Sequence, residues 1–483
     1  MDSQNFANIL HETVEIILAY WRKNSQPESP VLLYEKADIL AERLNLSVSN
    51  QGNNLEDLLP FMQLYLDYSV RTSGKKFFNQ LWTGADITGV LAEMITTASN
   101  TSMSTYEIAP IATLIELELI KTLNNLVGFS EGEGIFVTGG SNANLIALLA
   151  ARNKFLPSAK NQGVGDHKLV TFVSDQAHYS FLKAMNIAGL GTDNLIKIPS
   201  DDQGRMIPTE LARAIALVKS QGKIPFFVAA TAGTTVLGAF DLLEEIASLC
   251  DRSHIWLHID AAWGCPVLFS EKYSYLLKGS HLADSFTWDA HKLMGVPLIC
   301  SAILIKQAGT LVNVCGSGDT DYIFHPQENQ DYDLGVMSLQ CGRKVDAFKL
   351  WLAWQYYGTQ GYGQRVEYLL SLASYTAEEI QANQRLKLVL APQFLNICFR
   401  YQPDDHLFNN LSAEKVDKIN LAIREYLWKS GKYLVNYAYY QGRVIIRLIL
   451  ANPDLQPSDL DDFLLTVVEC GDRLSKEFLT IPS

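Results

Sequence analysis

The chain has 483 residues, 48% of them hydrophobic and 19% charged, the balance of a globular protein rather than a disordered one. Its length exceeds what one hydrophobic core usually serves, so two or three domains are expected. A net charge of −13 excludes a general nucleic-acid binder, which needs a basic face, and fits poorly with docking on an anionic membrane.

Residues 5–23 and 35–46 read as helices, the first with Phe6, Ile9, Leu10, Ile17, Leu18 and Trp21 on a broad apolar face. Asn24-Ser-Gln-Pro-Glu-Ser-Pro30 between them has turn chemistry. So small a helical region buries little alone, and it is expected to pack on another domain or subunit. From about residue 130, short β-branched runs alternate with helical stretches: 134–137, 169–173, 226–230, 255–259, 285–288 and 302–305. Continuous apolar strands separated by helices predict an α/β fold with a mostly parallel sheet covered on both faces. Long helical patterns follow at 345–357 and 362–382. A smaller α+β region closes the chain, with strands near 394–401, 433–439 and 443–450, a helix near 413–430 and a final helix after Pro457. The expected segments are therefore 1–75, 76–350 and 351–483.

The seven cysteines are Cys250, Cys265, Cys300, Cys315, Cys341, Cys398 and Cys470, with no Cys-x-x-Cys pair. Neither a disulfide framework nor a zinc site is expected, and a reducing, cytoplasmic setting is the simplest reading. Met1-Asp-Ser-Gln-Asn-Phe6 lacks the basic start of a signal peptide, and no run reaches the roughly 18 apolar residues of a membrane span.

Several motifs fall where predicted strands end, the places at which such sheets bind ligands. Gly139-Gly-Ser-Asn-Ala-Asn144 leads into a helix, so Gly140 and Ser141 either cradle a phosphate or make a tight capped turn. His178 follows the strand at 169–173 and either stacks on a planar ligand or is structural. Asp260 ends the strongly apolar run from Trp256, where a buried carboxylate needs a partner. Lys292 lies 32 residues further on (292 − 260), in Trp288-Asp-Ala-His-Lys-Leu-Met-Gly295, and one helix and one strand can bring both to a single pocket. A lysine amine able to form a Schiff base and an acid able to hold a pyridinium proton are the minimum set for pyridoxal phosphate (PLP) chemistry. Arg447, within the apolar run 443–450, suits a substrate carboxylate or a structural ion pair. The polar stretch 316–333 is long enough for a lid, and Tyr332 in it either delivers a proton or packs.

Together these stretches resemble the group II PLP-dependent amino-acid decarboxylases, and among them the branch of glutamate, cysteine sulfinate and aspartate 1-decarboxylases. The likeness rests on Trp288-x-x-His-Lys-x-Met-Gly295 with His258-x-Asp-Ala-Ala-Trp263 upstream, and extends over Phe77–Leu81, Ser104–Pro110 and Gln340–Asp346 to Arg447. It implies fold type I, a seven-stranded sheet between helices with a small C-terminal domain, in an obligate homodimer with active sites at the interface. It also implies Lys292 as the Schiff-base lysine, Asp260 as partner of the ring nitrogen, Ala262 and His178 on the two ring faces, and Thr235 near the ring. Gly140, Ser141 and His291 are implied at the phosphate, Arg447 at the α-carboxylate and Gln80 in the substrate site. Tyr332 matches the loop tyrosine that returns a proton to the substrate carbon.

Decarboxylation of an acidic L-amino acid is the expected activity, with aromatic amino-acid decarboxylation or another PLP reaction such as transamination as the alternative. Glutamate-specific members carry a small residue after Asn-Gln-Leu, whereas this chain has Trp82, and cysteine sulfinate enzymes also have an aromatic there. A bulky ring shortens a pocket, which favours cysteine sulfinate or aspartate.

Overall fold

A computed structural model describes residues 3–44, 46–48, 50–316, 322–325, 328–404 and 411–480. In chain order the described strands are β1 (Phe77–Phe78), β2 (Glu133–Val137), β3 (Leu169–Ser174), β4 (Leu195–Ile198), β5 (Ile224–Thr231) and β6 (Trp256–Asp260). They continue as β7 (Ser285–Asp289), β8 (Ser301–Ile305), β9 (Leu386–Leu388), β10 (Asn396–Tyr401), β11 (Leu434–Tyr440) and β12 (Arg443–Ile449). Compactness divides the chain into two units, where the sequence suggested three segments. One comprises Ala85–Ser371 with Pro392–Leu395, the other Met1–Gly84, Leu372–Ala391 and Asn396–Ser483.

The larger unit is built on a seven-stranded sheet in the order β2-β8-β7-β6-β5-β3-β4. β7, β6, β5, β3 and β4 are mutually parallel, and β8 runs against both β7 and β2. The mostly parallel α/β sheet expected from the sequence is therefore present. β8 is reversed because the connection from β7 is short, and a parallel return needs a crossover of a dozen or more residues. The expected reading lacked β4, a four-residue edge strand that carries an exposed Lys197 and no clear period. Helix Gly140–Phe155 lies against the sheet with Ala143, Ile146, Ala147, Leu148, Ala150 and Ala151 buried, and its alanines permit close approach. Ile135, Val137, Phe227, Ile303 and Ile305 belong to the same core. Among the described residues no helix is long and apolar enough to cross a membrane.

The smaller unit carries a five-stranded sheet, β1-β11-β12-β10-β9, antiparallel except where β1 joins β11. Its N-terminal residues add to the sheet edge: Val31 N–H donates to Gly431 O at 2.7 Å, and Val31, Phe77 and Leu434 form one apolar cluster. Helix Ala413–Lys429 starts at Ser412, whose Oγ accepts from Lys415 N. The two helices expected at 345–357 and 362–382 form one helical stretch, Asp346–Ala382, interrupted at Gly358 (φ 66°, ψ 171°). Glycine tolerates that positive φ, which explains why the sequence read as two helices.

Candidate active site

Five parallel strands of the larger unit deliver residues at their carboxyl ends. β2 leads through Gly139 to Gly140 and Ser141, β3 to His178, β5 to Thr235, β6 to Asp260 and β7 to Lys292. Gly139 has φ 122°, open to glycine, and this lets the chain turn from β2 straight into the helix at Gly140. The first N–H groups of a helix lack intrahelical partners and form the positive end of its dipole.

Lys292 sits in the turn directly after β7, its N–H donating to Asp289 O at 3.2 Å. Its Nζ lies 3.1 Å from Asp289 Oδ2, and His291 Nε2 is 3.8 Å from the same oxygen. Asp289 is buried, and among the described residues its Oδ1 has no hydrogen-bond partner. Asp260 is buried at the end of β6, accepting from Asn144 Nδ2 at 2.9 Å on Oδ2 and from Ala262 N at 3.2 Å on Oδ1. Behind it lies a polar interior: Asn144 Oδ1 is 2.8 Å from Thr287 Oγ1 and 3.0 Å from His258 Nε2.

His178 is half-buried, with Nδ1 accepting from Ser180 N at 3.3 Å. Burial lowers its pKa, while the charges of Asp260 and Asp289 raise it and that of Lys292 lowers it. Burial also lowers the pKa of His291, whose Nδ1 lies 3.0 Å from Cys300 O and 3.2 Å from Cys300 N. Thr235 is half-buried in the turn after β5. Lys292, Asp260, Ala262, His178, His291, Gly140 and Ser141 thus come from separate strand ends of one sheet.

Among the described residues, no hydrogen bond joins Tyr332 to this cluster. Its ring is 40% exposed and lies 5.4 Å from that of Tyr106. The expected lid is partly outside the described residues, at 317–321 and 326–327. Arg447, Gln80 and Trp82 belong to the smaller unit. Arg447 is buried at the middle of β12, between Cys398 and Asn436 of the neighbouring strands, and donates to Asn79 O at 2.8 Å. Gln80 is exposed, and the Trp82 ring packs on Phe77 at 5.5 Å.

Asp289, Asn144, His258, Ser285 and Thr287 were missed as site residues. A signal for them existed in the period of two: His258 and Asp260 share one face of β6, and Ser285, Thr287 and Asp289 share one face of β7. Polar residues alternating through buried strands mark a satisfied polar interior, not an apolar one.

The donor set fits PLP. A Cβ on Gly139 would meet nothing within 4 Å, so there is open space beside the helix start, and the Gly140 position leaves no room for a side chain because its Cβ would lie 2.8 Å from Asp289 Oδ2. A lysine amine, a buried carboxylate and a glycine-lined helix start at the strand ends of this sheet define a PLP-dependent enzyme of fold type I. The profile described as pyridoxal-dependent decarboxylase conserved domain matches residues 38–402. The chain belongs to that family: it is a PLP-dependent carboxy-lyase with PLP as its cofactor. The crystal structure of mouse CSAD (cysteine sulfinic acid decarboxylase) is 35% identical, covering 98% of this chain and 100% of that one, with a TM-score of 0.94. Its apo form matches with 36% identity, the same coverage and a TM-score of 0.94. Catharanthus roseus tryptophan decarboxylase in complex with L-tryptophan is 23% identical, with coverage of 98% and 99% and a TM-score of 0.87, a likeness of fold.

Proposed function

We propose that the enzyme removes the α-carboxylate of a short acidic L-amino acid, cysteine sulfinate or aspartate ahead of glutamate, giving the amine and carbon dioxide. The observation that carries this reading is the end-to-end likeness to mouse CSAD at 35% identity. Trp82 supports it: the ring is wedged against Phe77 and the Val31–Leu434 cluster, so a bulky, fixed group follows Asn79-Gln-Leu81.

Bound PLP supplies an electron sink for the pair left when the Cα–carboxylate bond breaks. Lys292 Nζ anchors the cofactor, and Asp289 at 3.1 Å holds the amine's proton when the amine is free. Asp260 would set a negative charge against the ring nitrogen, Ala262, His178 and Thr235 would contact the ring, and Gly140, Ser141 and His291 would hold the phosphate. Arg447 grips the substrate α-carboxylate, Gln80 and Trp82 bound its side chain, and Tyr332 O–H returns a proton to Cα.

A second copy of the chain is the partner. Ile87, Leu91, Met94 and Ile95 form an exposed apolar stripe on the helix Ile87–Ser99, and Ile108 and Ile111 are also exposed, a surface suited to a protein contact. All seven cysteines are unbridged, which supports a reducing, cytoplasmic compartment.

Carbon dioxide release measured across cysteine sulfinate, aspartate, glutamate and aromatic amino acids tests the reading. The highest kcat/KM is expected for one of the first two, and an aromatic substrate in front would overturn it. Trp82→Ser is expected to raise glutamate turnover relative to cysteine sulfinate about tenfold, the lower part of what one methylene is worth.

A further inference from the structure

Asn144 is fully buried on the first turns of the helix Gly140–Phe155, and all four of its side-chain contacts are made inside the larger unit. Its Nδ2 is 2.9 Å from Asp260 Oδ2 and 3.0 Å from Ser180 Oγ; its Oδ1 is 2.8 Å from Thr287 Oγ1 and 3.0 Å from His258 Nε2. His258 Nδ1 in turn lies 2.8 Å from Ser285 Oγ, and Trp256 Nε1 donates to that oxygen at 2.8 Å.

The chemistry of the two ends gives this path a direction. An indole N–H can only donate, and an ionised carboxylate can only accept. Asn144 Nδ2 donates to the Asp260 carboxylate, so its Oδ1 faces the rest of the path as an acceptor; a neutral His258 then accepts at Nδ1 from the Ser285 hydroxyl, whose oxygen accepts from Trp256 N–H. The other imidazole nitrogen, Nε2, carries the ring proton and donates to Asn144 Oδ1, as does the Thr287 hydroxyl. The amide is thereby fixed with its NH2 toward Asp260. Burial pushes the His258 pKa down to about 4, which keeps the imidazole in the neutral form this path requires.

We propose that Asn144, oriented by His258, Ser285 and Thr287, is a positioning residue that holds Asp260 as an anion aimed at the cofactor's ring nitrogen, and so keeps that nitrogen protonated. This rests on Asp260 being the ring-nitrogen partner. A carboxylate without hydrogen bonds is costly in so buried a position. Two fixed donors, Asn144 Nδ2 and Ala262 N, supply them and fix its direction.

The test is nitrogen-15 magnetic resonance of holoenzyme loaded with ring-labelled PLP, beside the PLP dissociation constant. In the unaltered enzyme the ring nitrogen is expected protonated at pH 7. Asp260→Asn is expected to lose that signal. Asn144→Leu is expected to lose it too and to weaken PLP binding about tenfold, the effect of one hydrogen bond to a charged group. His258→Leu is expected to do the same to a smaller degree, and His258→Gln, which can still donate to Asn144 Oδ1, to restore the signal. If Asp260→Asn leaves the resonance unchanged, the underlying assignment of Asp260 fails. If Asp260→Asn shifts it while Asn144→Leu and His258→Leu do not, the positioning path alone is overturned. Should Asn144→Leu fail to fold, the His258→Leu and His258→Gln pair decides the same question.

Discussion

Two lysines of the larger unit sit beside carboxylates and differ in how fully they are satisfied. Lys349 is 1% exposed, and its Nζ meets Asp346 Oδ1 at 2.8 Å, Glu93 Oε1 at 2.9 Å, Ile299 O at 2.7 Å and Pro297 O at 3.3 Å. Burial works against its charge, yet Asp346 and Glu93 raise its pKa above the ordinary lysine value. Lys292 is 21% exposed, and its ion pair is with Asp289 at 3.1 Å. An ammonium has three protons, so Lys349 has more acceptors than it can use while Lys292 has capacity to spare. A lysine that must react cannot be saturated, and a lysine that must hold a fold together should be.

The largest effect expected is on Lys292. Lys292→Ala should lose the borohydride-sensitive absorbance band of bound PLP and lower turnover by roughly a thousandfold or more, as loss of a covalent group does. Lys349→Met leaves half-buried Asp346 without its cation, while Glu93 keeps Lys344. It should cost about 1–3 kcal/mol of stability, seen as a lower urea midpoint, with the absorbance band intact where the protein folds. A Lys349→Met protein as stable as the parent would erase the contrast.

His258 sharpens it from the other side, because the polar interior behind Asp260 is satisfied only while that imidazole is neutral. Its pKa is lowered from 6.5 to about 4 by burial. Between those values the unfolded chain takes up the proton and the folded chain does not, so stability present above pH 6.5 is lost as the pH falls toward 4. The shift amounts to about 3 kcal/mol. The urea midpoint followed from pH 7 to 4 should fall more steeply in the parent than in His258→Gln. The smallest effect is expected for Asp289→Asn, which keeps an acceptor near Lys292 but removes the charge. PLP recapture by the cofactor-free enzyme should slow by about threefold to tenfold, within the range of a charge-assisted hydrogen bond.

The contrast between the lysines was half legible in the sequence. Lys292 stood out through His291, Gly295 and the upstream Asp260, all close to it in the chain or set by one βαβ spacing. Lys349 was hidden, because its partner Glu93 lies far away in sequence and only the tertiary fold joins them. The same divide runs through the fold. Apolar β-branched runs announced β2, β3, β5, β6, β7 and β8, whereas β4 is short and lies at the sheet edge, with little of its pattern set by burial. Asn144 read as one more polar residue in a glycine-rich turn, since its four partners come from three other segments of chain.

Gly140 and Asp289 are locked to each other. A methyl group at 140 would press on the carboxylate oxygen that faces Lys292 Nζ, so Gly140→Ala should disturb the amine as much as the phosphate cradle. Residues 140 and 289 should therefore behave as one inherited unit: enlargement at the first becomes tolerable only alongside a smaller side chain at the second, and either change alone should be the worse of the two paths.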